Sequence, residues 1–252
     1  MRPTTGCIIA AVLACGMLGT LAAGAGAGAA TKVAERNPSN GGVTVTGRIT
    51  YVGTVPIVDP TPVERDRSFC GESMPDESLL VDQASHGVAS VVISLDGVPK
   101  GKATPEDRSL VIENRTCRFL PRVSAVVADS LLVINNTDPI MHNTHIRKKS
   151  RFGDNLVNVV QPHQGKVEKP LKETGLLDVR CDAHPFMHAA IHVFAHPYFS
   201  ITDPTGRFEL TQVPPGKYKL KFWHEMLGSR ERTITVPAKG PVIIDWPVGP
   251  EA

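Results

Sequence analysis

Cys181-Asp182-Ala183-His184-Pro185-Phe186-Met187 puts a thiol, an imidazole and a thioether within one short run of chain. Soft sulfur donors combined with imidazole suit copper: two His and one Cys in a plane, with a weakly bonded Met along the axis, make a mononuclear redox centre. A tight loop at a strand end can supply three of those four ligands, and the fourth must come from another strand. Upstream, the apolar run Leu131–Asn135 leads into Asn136-Thr137-Asp138-Pro139-Ile140-Met141-His142-Asn143-Thr144-His145, which reads as a strand, a turn and then a His. Zinc competes for Cys and His, but a thioether is a poor zinc ligand, so Met187 favours copper. Taken singly, each residue has a plainer explanation. Cys181 could be a small buried apolar residue or a disulfide partner, and His184 and Met187 could be core or surface residues.

Around this stretch the chain reads as β structure. It holds 21 Pro and 22 Gly, and its apolar runs are short and rich in Val and Ile. The expected strands are Val43–Val52, Val88–Leu95, Ser109–Glu113, Val123–Val127, Leu131–Asn135, Leu156–Val160, Leu176–Arg180, Ala190–Phe194, Gly206–Leu210, Lys217–Trp223, Arg232–Val236 and Val242–Trp246. Turn signals separate many of them, among them Asp96-Gly97, Asp203-Pro204-Thr205-Gly206 and Pro214-Pro215-Gly216. Many short strands with regular punctuation argue for sandwiches rather than a parallel sheet. No long amphipathic helix is evident.

Met141-His142-Asn143-Thr144-His145 together with Cys181-x-x-His184-Pro185-Phe186-Met187 resembles amicyanin and its relatives among the small blue copper proteins, the cupredoxins. The run from Phe119-Leu120-Pro121 through Val123–Val127 and Asp129 to Asn135-Asn136, and Gly175 ahead of the strand into Cys181, resembles them too. This resemblance covers roughly residues 80–197. It implies a Greek-key β-sandwich with one type 1 copper held by His142, Cys181, His184 and Met187, and with His145 outside the ligand set. It also implies an electron carrier served by a redox protein partner, a cytochrome or an oxidoreductase. With Cys7 and Cys15 removed along with an N-terminal export signal and Cys181 assigned to the metal, Cys70 and Cys117 are expected to pair with each other.

Asp203-Pro204-Thr205-Gly206-Arg207-Phe208-Glu209-Leu210, followed by Val213-Pro214-Pro215-Gly216-Lys217-Tyr218, resembles the carboxypeptidase-regulatory-like module, a small transthyretin-like β-sandwich. Its expected span is 198–252, with Phe208 and Tyr218 anchoring the core. Val45-Thr46-Gly47-Arg48-Ile49-Thr50-Tyr51 resembles that module's first strand, so the two domains are expected to share or interleave strands. The fold expected is therefore all-β, a cupredoxin sandwich followed by a transthyretin-like one.

The remaining stretches frame this reading. Arg2, the apolar run from Ile8 and the small residues through Ala30 read as an export signal over 1–30, which places the protein in the periplasm or outside the cell. Residues 31–79 read as a leader, a first strand and a polar loop pinned by Cys70. No later run is apolar enough to cross a membrane, and a net charge of +2 offers no global field for nucleic acid. His188, His192 and His196 recur every four residues; on a strand they are spread about 13 Å apart and form a face rather than one site. A second metal site at His196, His224 and Glu225 is the alternative that would make the chain an enzyme, and a copper carrier or store without a redox partner is another. His224-Glu225 opens a zinc-protease motif, but Gly228 stands where its second His belongs. Gly71-Glu72-Ser73-Met74-Pro75 fails as a nucleophile elbow at its last position. These failures lead to the expectation that the chain has no enzymatic activity. The basic run Arg147-Lys148-Lys149-Ser150-Arg151 is expected near the metal edge, as a docking site or as a solvated loop.

Overall fold

Short Val- and Ile-rich runs between Gly and Pro turns become strands almost throughout the computed structural model, which describes residues 42–99, 108–149 and 153–250. The expectation of an export signal falls outside those residues. The chain begins with β1 (Val43–Tyr51), β2 (Thr61–Pro62), the single helical turn α1 (Arg67–Cys70), β3 (Ser73–Met74) and β4 (Val92–Asp96). Next come β5 (Ser109–Asn114), β6 (Phe119–Leu120), β7 (Val123–Val127), β8 (Ser130–Asn136), β9 (His142–Lys148), β10 (Asn155–Gln161), β11 (Lys166–Leu171), β12 (Gly175–Arg180) and β13 (His188–Phe194). The last are β14 (Phe199–Ile201), β15 (Arg207–Val213), β16 (Gly216–His224), β17 (Gly228–Val236), β18 (Val242–Ile243) and β19 (Trp246–Val248). Among the described residues no helix is long and apolar enough to cross a membrane.

Two sandwiches result. In the first, the sheet β10-β9-β12-β13-β7 and the sheet β11-β8-β5-β6 close over one core, which includes Ile112, Phe119, Ile134, Ile146, Leu177 and Ile191. In the second, β15-β1-β18, with β19 also on β1, and β14-β4-β16-β17 close over a core that includes Val45, Ile49, Ile93, Phe208, Tyr218 and Phe222. The Asp203 turn behaves as its sequence demands. The Asp203 carboxylate accepts from the Thr205 and Arg207 amides at 2.8 and 3.0 Å. Gly206 then takes φ +80°, where a Cβ would strike the Ile49 carbonyl at 2.2 Å.

The linear boundary expected at residue 80 needs correction. β4 hydrogen-bonds β14 and β16 in the second sandwich, so Val88–Asp96 packs with that core and not with the first. The first sandwich is thus an excursion of the chain between two adjacent strands of the second. Three of its strands also escaped the sequence reading, the shortest being the two-residue β6. β9 is polar by composition yet buried at five successive positions from His142. β11 carries charges and Pro170, which an edge strand paired only to β8 tolerates.

Part of the basic run is displaced as well. Lys148 ends the strand that His142 begins, and six steps of about 3.3 Å put them about 20 Å apart. Lys148 pairs with Glu173 at 2.8 Å and is carried away from the cluster, whereas the Arg147 guanidinium reaches back to the His145 ring at 3.0 Å, which itself meets Asp182; Ser150 and Arg151 lie outside the described residues.

A half-buried charged cluster joins the sandwiches. Glu225, just past β16, meets Arg122 at 2.8 Å and His188 at 2.7 Å. His188 also meets Asp178 at 3.0 Å. Burial would raise the Glu225 carboxyl, but the bonds from His188 and Arg122 override it and hold it at about 2. A depressed carboxyl pKa stabilises the fold above its ordinary value and loses that contribution as pH falls through the folded value. Glu225→Gln should therefore lower the unfolding free energy by on the order of 2 kcal/mol at neutral pH. The difference from wild type should shrink as pH drops from 4.5 toward 2, as read by chemical denaturation across that range.

Candidate metal centre

Two neighbouring strands bring the cluster together. β9 opens with His142 after the turn that follows β8, and β12 ends one residue before Cys181. β9 and β12 are antiparallel partners with Arg180 opposite His145, so the start of β9 lies beside the loop after β12. That loop is closed tightly before β13: the Met187 amide donates to the His184 carbonyl at 2.8 Å, and the Cys181 amide to the Met187 carbonyl at 3.4 Å. The Asp182 amide donates to the Asn143 side chain at 3.1 Å, tying the loop to β9.

His142 Nδ1, His184 Nδ1 and Cys181 Sγ all lie within 4.8 Å of one another. The two Nδ1 atoms are 3.2 Å apart, and Sγ is 3.6 Å from that of His184. His142, His184, Cys181 and Met187 are all essentially inaccessible to solvent, and Met187 sits in the core of the first sandwich. The outward nitrogens are both taken by carboxylates: His142 Nε2 lies 2.8 Å from Asp138 and His184 Nε2 2.9 Å from Asp66. A neutral imidazole has one N–H and one lone pair. With the N–H held on Nε2 by a carboxylate, the lone pair of each Nδ1 faces the other. Two lone pairs at that separation repel unless a cation or a proton stands between them. Burial pushes His142 below the usual imidazole value against the pull of Asp138. Burial also pushes the Cys181 thiol up, while the Asn143 amide donates to its sulfur at 3.3 Å. A soft cation answers both demands at once, and the donor set fits copper.

The other candidates separate from this cluster. His145 turns to Asp182 at 3.1 Å and Asn155 at 2.8 Å. His196 packs among Phe194 and Tyr198. His224 is buried and accepts the Met226 amide at 3.2 Å, and Glu225 serves the joint between sandwiches. The alternative second site is therefore not assembled, and among the described residues the other metal-capable group includes Cys117, whose sulfur is committed to Cys70. That disulfide is the pairing expected from the sequence, and Cys181 is the free thiol among the described residues. The sequence reading missed Asp138 and Asp66. Asp138 sits four residues before His142 and could have been flagged; Asp66 lies 118 residues from His184 and carries no local signal.

No protein-family model matches the chain, and no curated protein does. Solved structures do. A copper-containing nitrite reductase from Thermus scotoductus SA-01 aligns at 17% identity and TM-score 0.32, over 40% of this chain and 25% of its own. An amicyanin variant in the Cu(I) state aligns at 18% identity and TM-score 0.31, over 34% of this chain and 83% of its own. An oxidised amicyanin variant aligns at 20% identity and TM-score 0.31, over 40% and 97%. These neighbours are cupredoxins, and each aligns with part of this chain only. The expectation of no enzymatic activity is corrected as well: it rested on missing hydrolase motifs, which speak only to hydrolase chemistry, and one of these neighbours is a nitrite reductase.

Asp138 is the most connected of these side chains. It accepts from the Thr116 and Cys117 amides at 2.6 and 2.9 Å as well as facing His142. Asp138→Ala should strand two buried partners, the Cys117 amide and the His142 ring, and one part-buried amide, that of Thr116, and cost on the order of 3 kcal/mol in chemical denaturation of the metal-free protein.

Proposed function

We propose that this is an exported copper protein that carries electrons through one mononuclear type 1 centre, with His142, Cys181, His184 and Met187 as ligands. The observation that supports it best is the convergence of two imidazole Nδ1 atoms and a buried thiol, with the other nitrogen of each imidazole facing a carboxylate. Bound there, copper would supply a one-electron couple between its singly and doubly charged states. The chain's own residues do the rest. The Asn143 amide donates to the Cys181 sulfur and tempers its charge. The backbone bonds across the Cys181–Met187 loop hold the donors still, so both charge states meet nearly the same cage. Phe186, packed on the His184 ring at 5.6 Å, helps keep water out.

The Cys70–Cys117 disulfide supports export, because such bonds persist in oxidising compartments. The partner proposed is a redox protein, a cytochrome or an oxidoreductase, approaching near the ligand loop. The second sandwich is proposed as a supporting module of the carboxypeptidase-regulatory-like kind, on the strength of its Asp203 and Pro214 turns and the buried Phe208 and Tyr218.

The test is spectroscopic. Copper-loaded protein should absorb intensely in the visible through thiolate-to-metal charge transfer, and Cys181→Ser should abolish the band. His142→Ala or His184→Ala should weaken copper binding, and Met187→Leu should keep copper and colour while raising the reduction potential. A wild-type protein that holds zinc tightly and stays colourless with copper would sink this reading.

A further inference from the structure

Asp66 opens α1 and occupies the position where an acidic side chain ordinarily accepts an amide of the first turn. It makes no such bond. Its backbone stands in the left-handed region at φ 58°, an uncommon place for a residue other than glycine. Its carboxylate instead reaches His184 Nε2 at 2.9 Å. His184 is fully buried, whereas the Asp66 side chain is 39% exposed. Solvent therefore meets the carboxylate, and the imidazole lies behind it.

The segment that carries Asp66 is anchored on both sides. β2 and β3 pair as a short ladder, Thr61 opposite Met74 and Pro62 opposite Ser73. Cys70, at the end of α1, is bonded to Cys117. Val63, Cys70, Met74 and Cys117 form a small core of their own, and Phe186 of the ligand loop packs against it. The same Phe186 packs against the main core of the first sandwich. The adjoining Cys117 amide is held by Asp138, which backs the other imidazole. One disulfide-closed segment thus touches the ligand loop by packing, one imidazole directly and the other through a shared anchor.

We propose that Asp66 is a positioning residue for His184, and that residues 61–74 are a strap that seals the metal centre on that side, so that copper exchange requires the strap to lift. This rests on the copper reading of the site and deepens it. Three consequences follow from elementary chemistry. The carboxylate holds the imidazole proton on Nε2 and so presents Nδ1 inward. Its negative charge favours the more highly charged state of the metal and lowers the reduction potential. Its bond keeps the strap down over an imidazole edge that would otherwise be open to chelators.

The experiment uses the full copper-loaded protein with Asp66→Asn and Asp66→Ala. Asn keeps an acceptor oxygen of the same reach and loses the charge; Ala loses both. Asp66→Asn should keep the visible band and raise the potential by about 59 mV, corresponding to about a tenfold change in the relative affinity for the two copper states. Asp66→Ala should hand Cu(I) to bicinchoninate about ten times faster than wild type, with Asp66→Asn closer to wild type because its hydrogen bond survives. A purely structural role would leave the potential of Asp66→Asn unchanged, and that result overturns the positioning claim. Transfer from Asp66→Ala at the wild-type rate overturns the strap. If Asp66→Ala does not fold, the strap is tested by reducing the Cys70–Cys117 bond in wild type, which should speed transfer; an unchanged rate overturns it. A wild-type protein that gives no visible band with copper removes the copper reading and this inference with it, whereas a coloured wild type with indifferent variants removes this inference alone.

Discussion

The carboxylate of Asp138 is the constraint on which the site's architecture turns. It is almost completely buried, and it meets two backbone amides and one imidazole within hydrogen-bonding distance. The turn that carries Cys117 and the strand that begins with His142 are thereby made one object. Buried charge is tolerated only where donors surround it, and here the donors belong to the disulfide turn on one side and the ligand cluster on the other. The direction of the His142 lone pair follows from this, and so does the placement of the Cys70 segment near His184.

Beneath the imidazoles runs a second polar layer. The Gln161 side-chain oxygen accepts from Asn114 at 3.2 Å and from Thr144 at 3.1 Å, while its amide donates to the Ile134 carbonyl at 3.0 Å. Asn136 reaches the carbonyls of Ile140, Gln161 and Pro162. These bonds pin the turn after β8 and the ends of β9 and β10, so the start of β9 is held by a network rather than by hydrophobic contact alone. Such networks specify one arrangement when they are satisfied. Under the copper reading proposed above, such rigidity would let both charge states meet one arrangement of donors.

The chain path gives the second sandwich a structural role. The polypeptide leaves one sheet at β4 and returns to it at β14, and those two strands are hydrogen-bonded neighbours. The termini of the first sandwich are therefore held close together, as an inserted domain requires. The cluster of Glu225, Arg122, His188 and Asp178 adds a charged joint next to the Met187 end of the ligand loop.

Local patterns in the sequence determined the all-β class, most strands, the turns at Asp203 and Pro214, and the grouping of three donor types in the Cys181–Met187 run. Each of these depends on residues close together in the chain: a period of two, a turn residue at its position, three donor types in one loop. The resemblance carried by those motifs also pointed to His142 and to the Cys70–Cys117 pairing. Tertiary structure alone decided the rest. β9 has no apolar period to announce it, because its burial comes from the polar layer it completes. Val88–Asp96 reads as a strand in either sandwich, and only pairing with β14 and β16 assigns it to the second. The basic run seemed near the cluster by sequence distance, but an extended strand carries Lys148 about 20 Å from His142. Asp66 meets His184 across 118 residues, a contact that no local periodicity encodes, because it exists only once a disulfide and a small core have folded that segment over the site.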